Sequence, residues 1–320
     1  MTDLGTPPVI SVAIPCRNEE ANIREIAAAV IGEMEKVGIP FEILFIDNGS
    51  TDATAQLGRE LCAADPRIKL IINTRNFGQM RSPTHAIFEA RGKAVIGMCA
   101  DFQDPPNLIP RFIERWQAGV PIVLGIRETE KSRFPRGFFR NLFYSFAKKV
   151  GDYPIIPDAT GFGLYDRKVV DAISALNEPE PFFRGLLVET GYAIEKIMYA
   201  RPQRRGGLSN NNFFVLLDFA ISGLSGSSKK LARLPLLIGF LSVAMSAFTM
   251  IGAIFGFLLG YNVIPWIFGF AIELQFGLLF IFLGLIGDQV RVIAERTRGA
   301  PLVIEQERVN FPKEYRSDDV

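Results

Sequence analysis

This sequence of 320 residues is poor in the side chains that usually hold transition metals. It has one histidine, His85, and three cysteines without metal-type spacing. A zinc centre is therefore not expected, and so few cysteines fit a reducing compartment better than a disulfide framework. No G-x-G-x-x-G turn follows a strand, because Gly161-Phe162-Gly163 lacks the third glycine, and no G-x-x-x-x-G-K-[ST] loop occurs. Dinucleotide-dependent redox chemistry and P-loop triphosphate hydrolysis lose their main sequence support. An excess of charge is missing too: 35 basic and 34 acidic residues leave a net +1, which argues against nucleic acid as a partner. The first ten residues carry neither a basic leader nor a hydrophobic signal stretch, so residues 1–210 are expected in the cytosol.

Apolar residues, by contrast, are plentiful. They make up 48% of the chain and give it a positive mean hydropathy, high for a wholly soluble protein. The excess is local: Leu234 to Gly260 carries no charge, and Ile264 to Gly287 is interrupted only by Glu273. Each run exceeds the roughly 20 residues that cross a bilayer as a helix. Tyr261-Asn262-Val263 is too short to be more than a turn, so a transmembrane hairpin is expected. Lys229, Lys230 and Arg233 precede it and Arg291, Arg296 and Arg298 follow it, while the turn has no basic residue. The positive-inside rule then puts both flanks and both termini in the cytoplasm, in a multi-pass protein of the cytoplasmic (inner) membrane. Gly252, Gly256 and Gly260, spaced by four, would allow close helix contact in a homo-oligomer, and Glu273 is a functional candidate by its position.

In the remainder, Val9 to Ile14, Phe41 to Ile46, Ile68 to Ile72, Ala94 to Met98 and Ile122 to Leu124 are short apolar runs. Helix-compatible stretches such as Glu20 to Lys36 lie between most of them. That alternation predicts an α/β domain with a mainly parallel sheet, whose ligands bind beyond the carboxyl ends of the strands. The segments found there are PCRNEE, DNGSTDAT, NTRNFG, CADFQDPP and GIRE. Any one of them reads as turn or capping chemistry. Five together place acids, amides and arginines on one rim.

With IPCRNEE, FIDNGSTDAT, NTRNFGQ, ADFQDPP, GIRE, RRGGLSN and the terminal hairpin in order, the chain resembles the polyprenyl-phosphate glycosyltransferases. These are family-2 enzymes that include dolichol-phosphate mannose synthase and the bacterial undecaprenyl-phosphate glucosyltransferases. The resemblance implies an A-type glycosyltransferase fold, Rossmann-like, over residues 1–210. It further implies interfacial amphipathic helices at 211–233, two transmembrane helices within 234–290 and a cytosolic tail at 291–320. The implied reaction moves a hexose, glucose, from a UDP-sugar to undecaprenyl or dolichyl phosphate at the cytoplasmic membrane face, with inversion.

Carried over by position, Pro15, Arg17, Glu19, Asp47, Arg75, Asp101 and Gln103 would bind the nucleotide sugar. Asp101 and Gln103 would hold Mg²⁺ or Mn²⁺ on the diphosphate; oxygen donors suit such ions, and a leaving diphosphate needs a cation. Arg127, Arg140, Arg204, Ser209 and Asn210 would face the diphosphate or the acceptor phosphate, where a guanidinium fork can bind two oxygens. Asp158 matches the acid usually named as catalytic base. Because a phosphate monoester loses its second proton near pH ~6, the acceptor is already a nucleophile, and Asp158 is expected to orient it.

Three positions depart from the family pattern. Cys99 replaces an aspartate, Arg17 a tyrosine and Asn210 a lysine, with Arg204 or Arg205 as substitutes for the lost cation. Cys99 is expected to be a small buried thiol outside the metal site, and Asp104 to cap the turn opened by the double proline. Two other functions share these features. A processive polysaccharide synthase would need a Q-x-x-R-W motif, and IERWQ at 113–117 lacks its leading glutamine. A catalytically weakened nucleotide-sugar-binding membrane protein is compatible with Cys99 and Asn210, but the presence of Asp101, Gln103, Arg127 and Asp158 argues for transfer.

Overall fold

The computed structural model describes residues 8–128, 156, 159–200, 202 and 299–311, together with single positions between 268 and 297. Nearly all of the expected hairpin, the segment 211–233, and Arg140, Asp158, Arg204, Ser209 and Asn210 lie outside the described residues. The chain divides into two compact units, one of Met1–Leu142, Ile155–Phe213 and Ala300–Val320, the other of Phe143–Pro154 and Phe214–Gly299.

Among the described residues the first unit is built on eight strands: β1 (Ile10–Cys16), β2 (Phe41–Asp47), β3 (Ile68–Asn73), β4 (Ala94–Gly97), β5 (Ile122–Arg127), β6 (Ala159–Asp166), β7 (Ile194–Tyr199) and β8 (Glu305–Val309). They form one mixed sheet in the order β7-β5-β6-β4-β1-β2-β3-β8. The five apolar runs become β1 to β5, and β4, β1, β2 and β3 pair in parallel. β6 runs antiparallel between β4 and β5, and β8 antiparallel along β3. The sheet is thus more mixed than the sequence pattern implies. The tail contributes β8, whose charged EQERV gives no apolar signal.

Helices cover both faces because side chains alternate along each strand. Val12 and Ile14 of β1 pack with Ile26, Val30 and Met34 of α1 (Ile23–Val37), Cys62 of α2 (Thr54–Ala64) and Phe112 of α4 (Ile109–Gln117). Ala13, Leu44 and Ile46 face the other way. They meet Ala86 and Ile87 of α3 (Gly78–Glu89), Val170 and Ile173 of α5 (Arg167–Ala175) and Leu187 of α6 (Phe183–Glu189). α1 stops where Gly38 takes the left-handed conformation and returns its N–H to the Met34 carbonyl.

At the amino end of the parallel strands the polar groups satisfy one another. Glu42, buried, accepts from Ser11 Oγ at 2.6 Å and from the Arg91 N–H at 2.8 Å, and pairs with Lys69. The carboxyl ends carry the remaining polar loops.

In the second unit, the described positions from 268 to 297 are helical. Ile272, Leu279, Ile286 and Ile293 recur every seven residues there, and all four are exposed. Among the described residues no helix is long and apolar enough to cross a membrane.

Candidate active site

The parallel register sets the ends of β1 and β2 side by side, with Cys16 opposite Asp47. The loops that follow are stitched together. The Asn48 N–H donates to the Cys16 carbonyl at 2.9 Å, the Asn18 N–H to Ser50 Oγ at 2.9 Å, and the Thr51 N–H to Asn18 Oδ1 at 2.8 Å. Asn18 holds a left-handed φ of 56°, a conformation that asparagine tolerates better than most residues.

The residues predicted for the nucleotide lie on this rim in different states. Pro15 is half-buried in β1, and Arg17 is exposed. Glu19 is buried, its backbone N–H donating to Thr54 Oγ1 at 2.8 Å and its carboxylate accepting from Asn22 Nδ2 at 2.6 Å. Asp47 is 1% exposed and accepts from both the hydroxyl and the N–H of Ser50. Burial pushes its carboxyl up, against the pull of the Ser50 hydrogen bonds.

Arg75 sits on the loop after β3, exposed, with its guanidinium 4.0 Å from the centre of the Phe77 ring. Asn48, whose place before Gly49 in DNGSTDAT has an ordinary turn explanation, fixes that loop. Its Oδ1 accepts from the Phe77 N–H at 2.8 Å and from Asn73 Nδ2 at 3.3 Å. Its Nδ2 donates to Asn76 Oδ1 at 2.9 Å and to the Gly78 carbonyl at 3.0 Å. Gly49 completes the contact: at φ 68°, a Cβ there would lie 2.7 Å from the Arg75 carbonyl carbon. Only glycine lets the two loops approach so closely.

The loop after β4 is a tight turn with its strain at Phe102. That residue is buried in the core at φ 60°, a left-handed value rare for a bulky side chain. Asp101 and Gln103, on either side of it, are half-buried, and Asp101 Oδ1 accepts from the Gln103 N–H at 3.1 Å.

Asp104 does not cap the turn opened by the prolines as expected. It is 1% exposed and folds back, Oδ2 accepting from the Cys99 N–H at 2.9 Å and Oδ1 from the Tyr199 hydroxyl at 3.1 Å. Arg127 stands opposite Tyr199 in the β5–β7 register. It donates from Nε to the Tyr199 oxygen at 3.3 Å and brings Nη2 to 3.7 Å from Asp104. Burial raises the Asp104 carboxyl, while the Cys99 N–H, Arg127 and Tyr199 pull it back. Burial first, and Asp104 second, push the Tyr199 phenol up to about 12, so it remains a donor at neutral pH.

The donor set fits a hard divalent ion. Asp101 and Gln103 offer oxygen, and the Cys99 thiol is pushed well up by burial and by Asp104 and Asp101, leaving it protonated. Cys99 is half-buried by surface area, less enclosed than expected. Among the described residues, His85, Glu89 and Glu305 also lie close enough to share a cation. Arg308 already occupies that cluster, donating from Nη1 to Glu89 at 2.8 Å and from Nη2 to Glu305 at 2.6 Å. Burial raises the Glu305 carboxyl, but His85 and Arg308 outweigh it and hold the group below its usual range. A guanidinium pairing with both carboxylates leaves little reason for a metal there.

The structure thus collects Pro15, Arg17, Glu19, Asp47, Arg75, Asp101, Gln103 and Arg127 on one rim and adds Asn48, Asp104 and Tyr199. Residues 11–174 match the family model described as glycosyl transferase family 2. An uncharacterized glycosyltransferase of Bacillus subtilis (strain 168), YkcC, is 31% identical over 302 residues, 92% of this chain and 93% of the relative. A bactoprenol glucosyl transferase of Shigella phage SfV is 33% identical over 239 residues, 74% of this chain and 78% of the relative. Among solved structures, glucosyl-3-phosphoglycerate synthase from Mycobacterium tuberculosis, in complex with Mn²⁺, UDP and glucosyl-3-phosphoglycerate, is 18% identical. It covers 68% of this chain and 78% of that chain, with a TM-score of 0.48.

Proposed function

The chain belongs to glycosyl transferase family 2, and from that membership we propose that it moves a glucosyl group from UDP-glucose to a polyprenyl phosphate at the cytoplasmic face of a membrane. The acceptor class is supported by the relatives named bactoprenol glucosyl transferase, one of them 33% identical over 74% of this chain. The single observation that carries the reading is the cinched loop after β4: Asp104 ties the turn bearing Asp101 and Gln103 to Arg127. One buried carboxylate thereby sets two groups suited to a diphosphate, where preorganised charge contributes most.

In the proposed reaction a phosphate oxygen of the lipid attacks the anomeric carbon, that C–O bond forms, the bond to the UDP oxygen breaks, and the configuration inverts. The acceptor is largely a dianion at neutral pH, so no proton has to be removed by the protein. Asp101 and Gln103 would hold Mg²⁺ or Mn²⁺, which when bound neutralises charge on the departing diphosphate. Arg127, held by Tyr199, would meet the same phosphates. Pro15, Glu19, Asp47 and Arg75 would enclose the nucleoside, while Arg140, Arg204, Ser209 and Asn210 would lie toward the acceptor, with Asp158 orienting it.

Membrane attachment through residues 234–290 is supported by the two long apolar runs in the sequence, one uncharged and one carrying only Glu273, and by the exposed apolar positions Ile272, Leu279 and Ile286, a spacing that Ile293 continues. Such a stripe also suits helix pairing between copies. The decisive assay incubates the full-length protein with radiolabelled UDP-glucose and undecaprenyl phosphate and extracts the lipid. Label in a mild-acid-labile lipid supports the reading, and no transfer from UDP-glucose, GDP-mannose or other nucleotide sugars refutes it.

A further inference from the structure

The segment that returns to the sheet after the second unit does more than close an edge. Before β8 begins, residues 301–304 run beside the loop that carries Arg75. The Thr74 N–H donates to the Ile304 carbonyl at 3.0 Å, and Val303 is buried. On α3, Arg81 donates from Nε to the Leu302 carbonyl at 2.7 Å and from Nη2 to the Pro301 carbonyl at 2.8 Å. The Arg81 guanidinium also lies 5.7 Å from the centre of the Phe77 ring, the same ring against which Arg75 rests at 4.0 Å.

Behind these contacts the strand is pinned by Arg59 to Glu307 at 2.7 Å, by Arg308 to Glu89 at 2.8 Å, and by Asn310 to the Cys62 carbonyl at 2.6 Å. A continuous chain of contacts therefore leads from the backbone at 301–302 through Arg81 and Phe77 to Arg75. Asn48 fixes the opposite side of the loop. Within this chain of contacts Phe77 is buried and Arg81 half-buried, while Arg75 at one end and Pro301 at the other are exposed.

We infer that residues 301–304 brace the donor pocket, and that Arg81 is a positioning residue that holds Arg75 toward the nucleotide through Phe77. The inference rests on the proposed nucleotide site, in which Arg75 meets the donor. Two features favour positioning over simple edge closure. The fork of Arg81 spans two successive carbonyls, a geometry that a lysine cannot reproduce. Arg75 is also flanked on both sides by fixed backbone, Thr74 held by the Ile304 carbonyl and residues 76–78 by Asn48, so that its side chain is left to be set by the Phe77 ring that Arg81 backs. Because the brace comes shortly after the predicted membrane hairpin in the chain, donor affinity would depend on a segment remote in sequence from the motifs that bind the nucleotide.

The test is a double-mutant cycle on the full-length protein in nanodiscs, with UDP and GDP as binding probes and donor KM and kcat measured in parallel. Arg81→Gln is expected to weaken binding of the preferred nucleotide about five- to tenfold and to raise donor KM by the same factor, with kcat within about twofold. Arg81→Lys should fall between the two. In an Arg75→Ala background the Arg81→Gln change should cost less than about twofold, because the group it positions is gone. A merely structural Arg81 would lower the melting temperature and give equal losses in both backgrounds, which overturns the inference, as does unchanged affinity in Arg81→Gln. If Arg81→Gln does not fold, the same cycle is read with Arg81→Lys. If Arg75→Ala alone binds both nucleotides normally, the placement of Arg75 in the nucleotide site fails and the inference falls with it. The other two outcomes leave that site standing.

Discussion

Tyr199 donates its hydroxyl hydrogen to Asp104 at 3.1 Å, joining the last residue of β7 to a loop 95 positions earlier in the chain. The contact is buried at the acceptor, and the same phenol oxygen receives Arg127. Tyr199 is thus the hinge pin between the loop of Asp101 and the arginine at the end of β5. Its ring is set from behind by Phe162, edge to face at 5.6 Å, which in turn meets Phe112 at 4.9 Å.

Tyr199→Phe keeps that ring packing and removes only the hydroxyl. Asp104 then stays buried with one donor fewer, and Arg127 loses the Tyr199 oxygen that it donates to at 3.3 Å. A loss of about 1–2 kcal/mol in unfolding free energy is expected, the usual cost of a buried polar group left short of a partner. Donor affinity should weaken alongside it. Denaturant unfolding and nucleotide titration of the variant check both, and wild-type stability would show that Asp104 is satisfied without Tyr199.

Much of this arrangement could be read from the sequence. The strands β1 to β5 announced themselves as short apolar runs, and the polar residues after them were correctly placed on one rim because parallel strands end together. β8 escaped notice because an edge strand of glutamates and arginine has no apolar alternation. It is held by ion pairs to Arg59 and Glu89, contacts more than 200 residues apart in sequence. Asp104 was misread for a related reason. An aspartate before proline has an adequate local explanation, whereas its actual donor on Tyr199 comes from a strand that pairs with β5. Arg81 carried no signal at all, since its partners are backbone carbonyls that any residue supplies.

Asp65 provides a test of acid stability. Arg67 donates to it at 2.7 Å and, as the main cause, holds its carboxyl below the ordinary value against the effect of burial. On acidification the unfolded chain takes up the proton before the folded one does. The stabilisation is therefore complete above the unfolded-state pKa of about 3.9 and disappears as pH falls through the lowered folded value. The pair is partly exposed, so the gain at neutral pH is under about 1 kcal/mol. Asp65→Asn retains an oxygen for the Arg67 N–H and removes only charge. Its deficit relative to wild type should be measurable by urea unfolding at pH 7 and should shrink steadily as the pH falls below about 4, and a deficit constant with pH would contradict the assignment.

The proposed topology follows from Lys229, Lys230 and Arg233 on one side of the apolar runs and Arg291, Arg296 and Arg298 on the other. A reporter fused at Val320 should read cytoplasmic, and one inserted at Asn262 should read the opposite side. Two reporters on the same side would break the hairpin, and the exposed stripe from Ile272 to Ile293 would then need another partner.

The metal requirement is proposed to rest on one carboxylate. Asp101 and Gln103 flank the strained Phe102, and their placement costs backbone energy, ~1–3 kcal/mol for a residue held at an unfavourable φ, that a plain connecting loop would not incur. Cys99, where the family often has a second aspartate, carries a thiol that burial and two neighbouring carboxylates keep protonated. A protonated thiol is a poor ligand for Mg²⁺ or Mn²⁺. Asp101→Ala should therefore abolish metal-dependent transfer at every metal concentration, because the remaining amide oxygen cannot neutralise the ion. Cys99→Ala should leave activity within about threefold of wild type, since its N–H bond to Asp104 belongs to the backbone and survives the change. Titration of Mg²⁺ and of Mn²⁺ into the transfer assay separates the two. A folded Cys99→Ala as inactive as Asp101→Ala would mean that the sulfur takes part in the site.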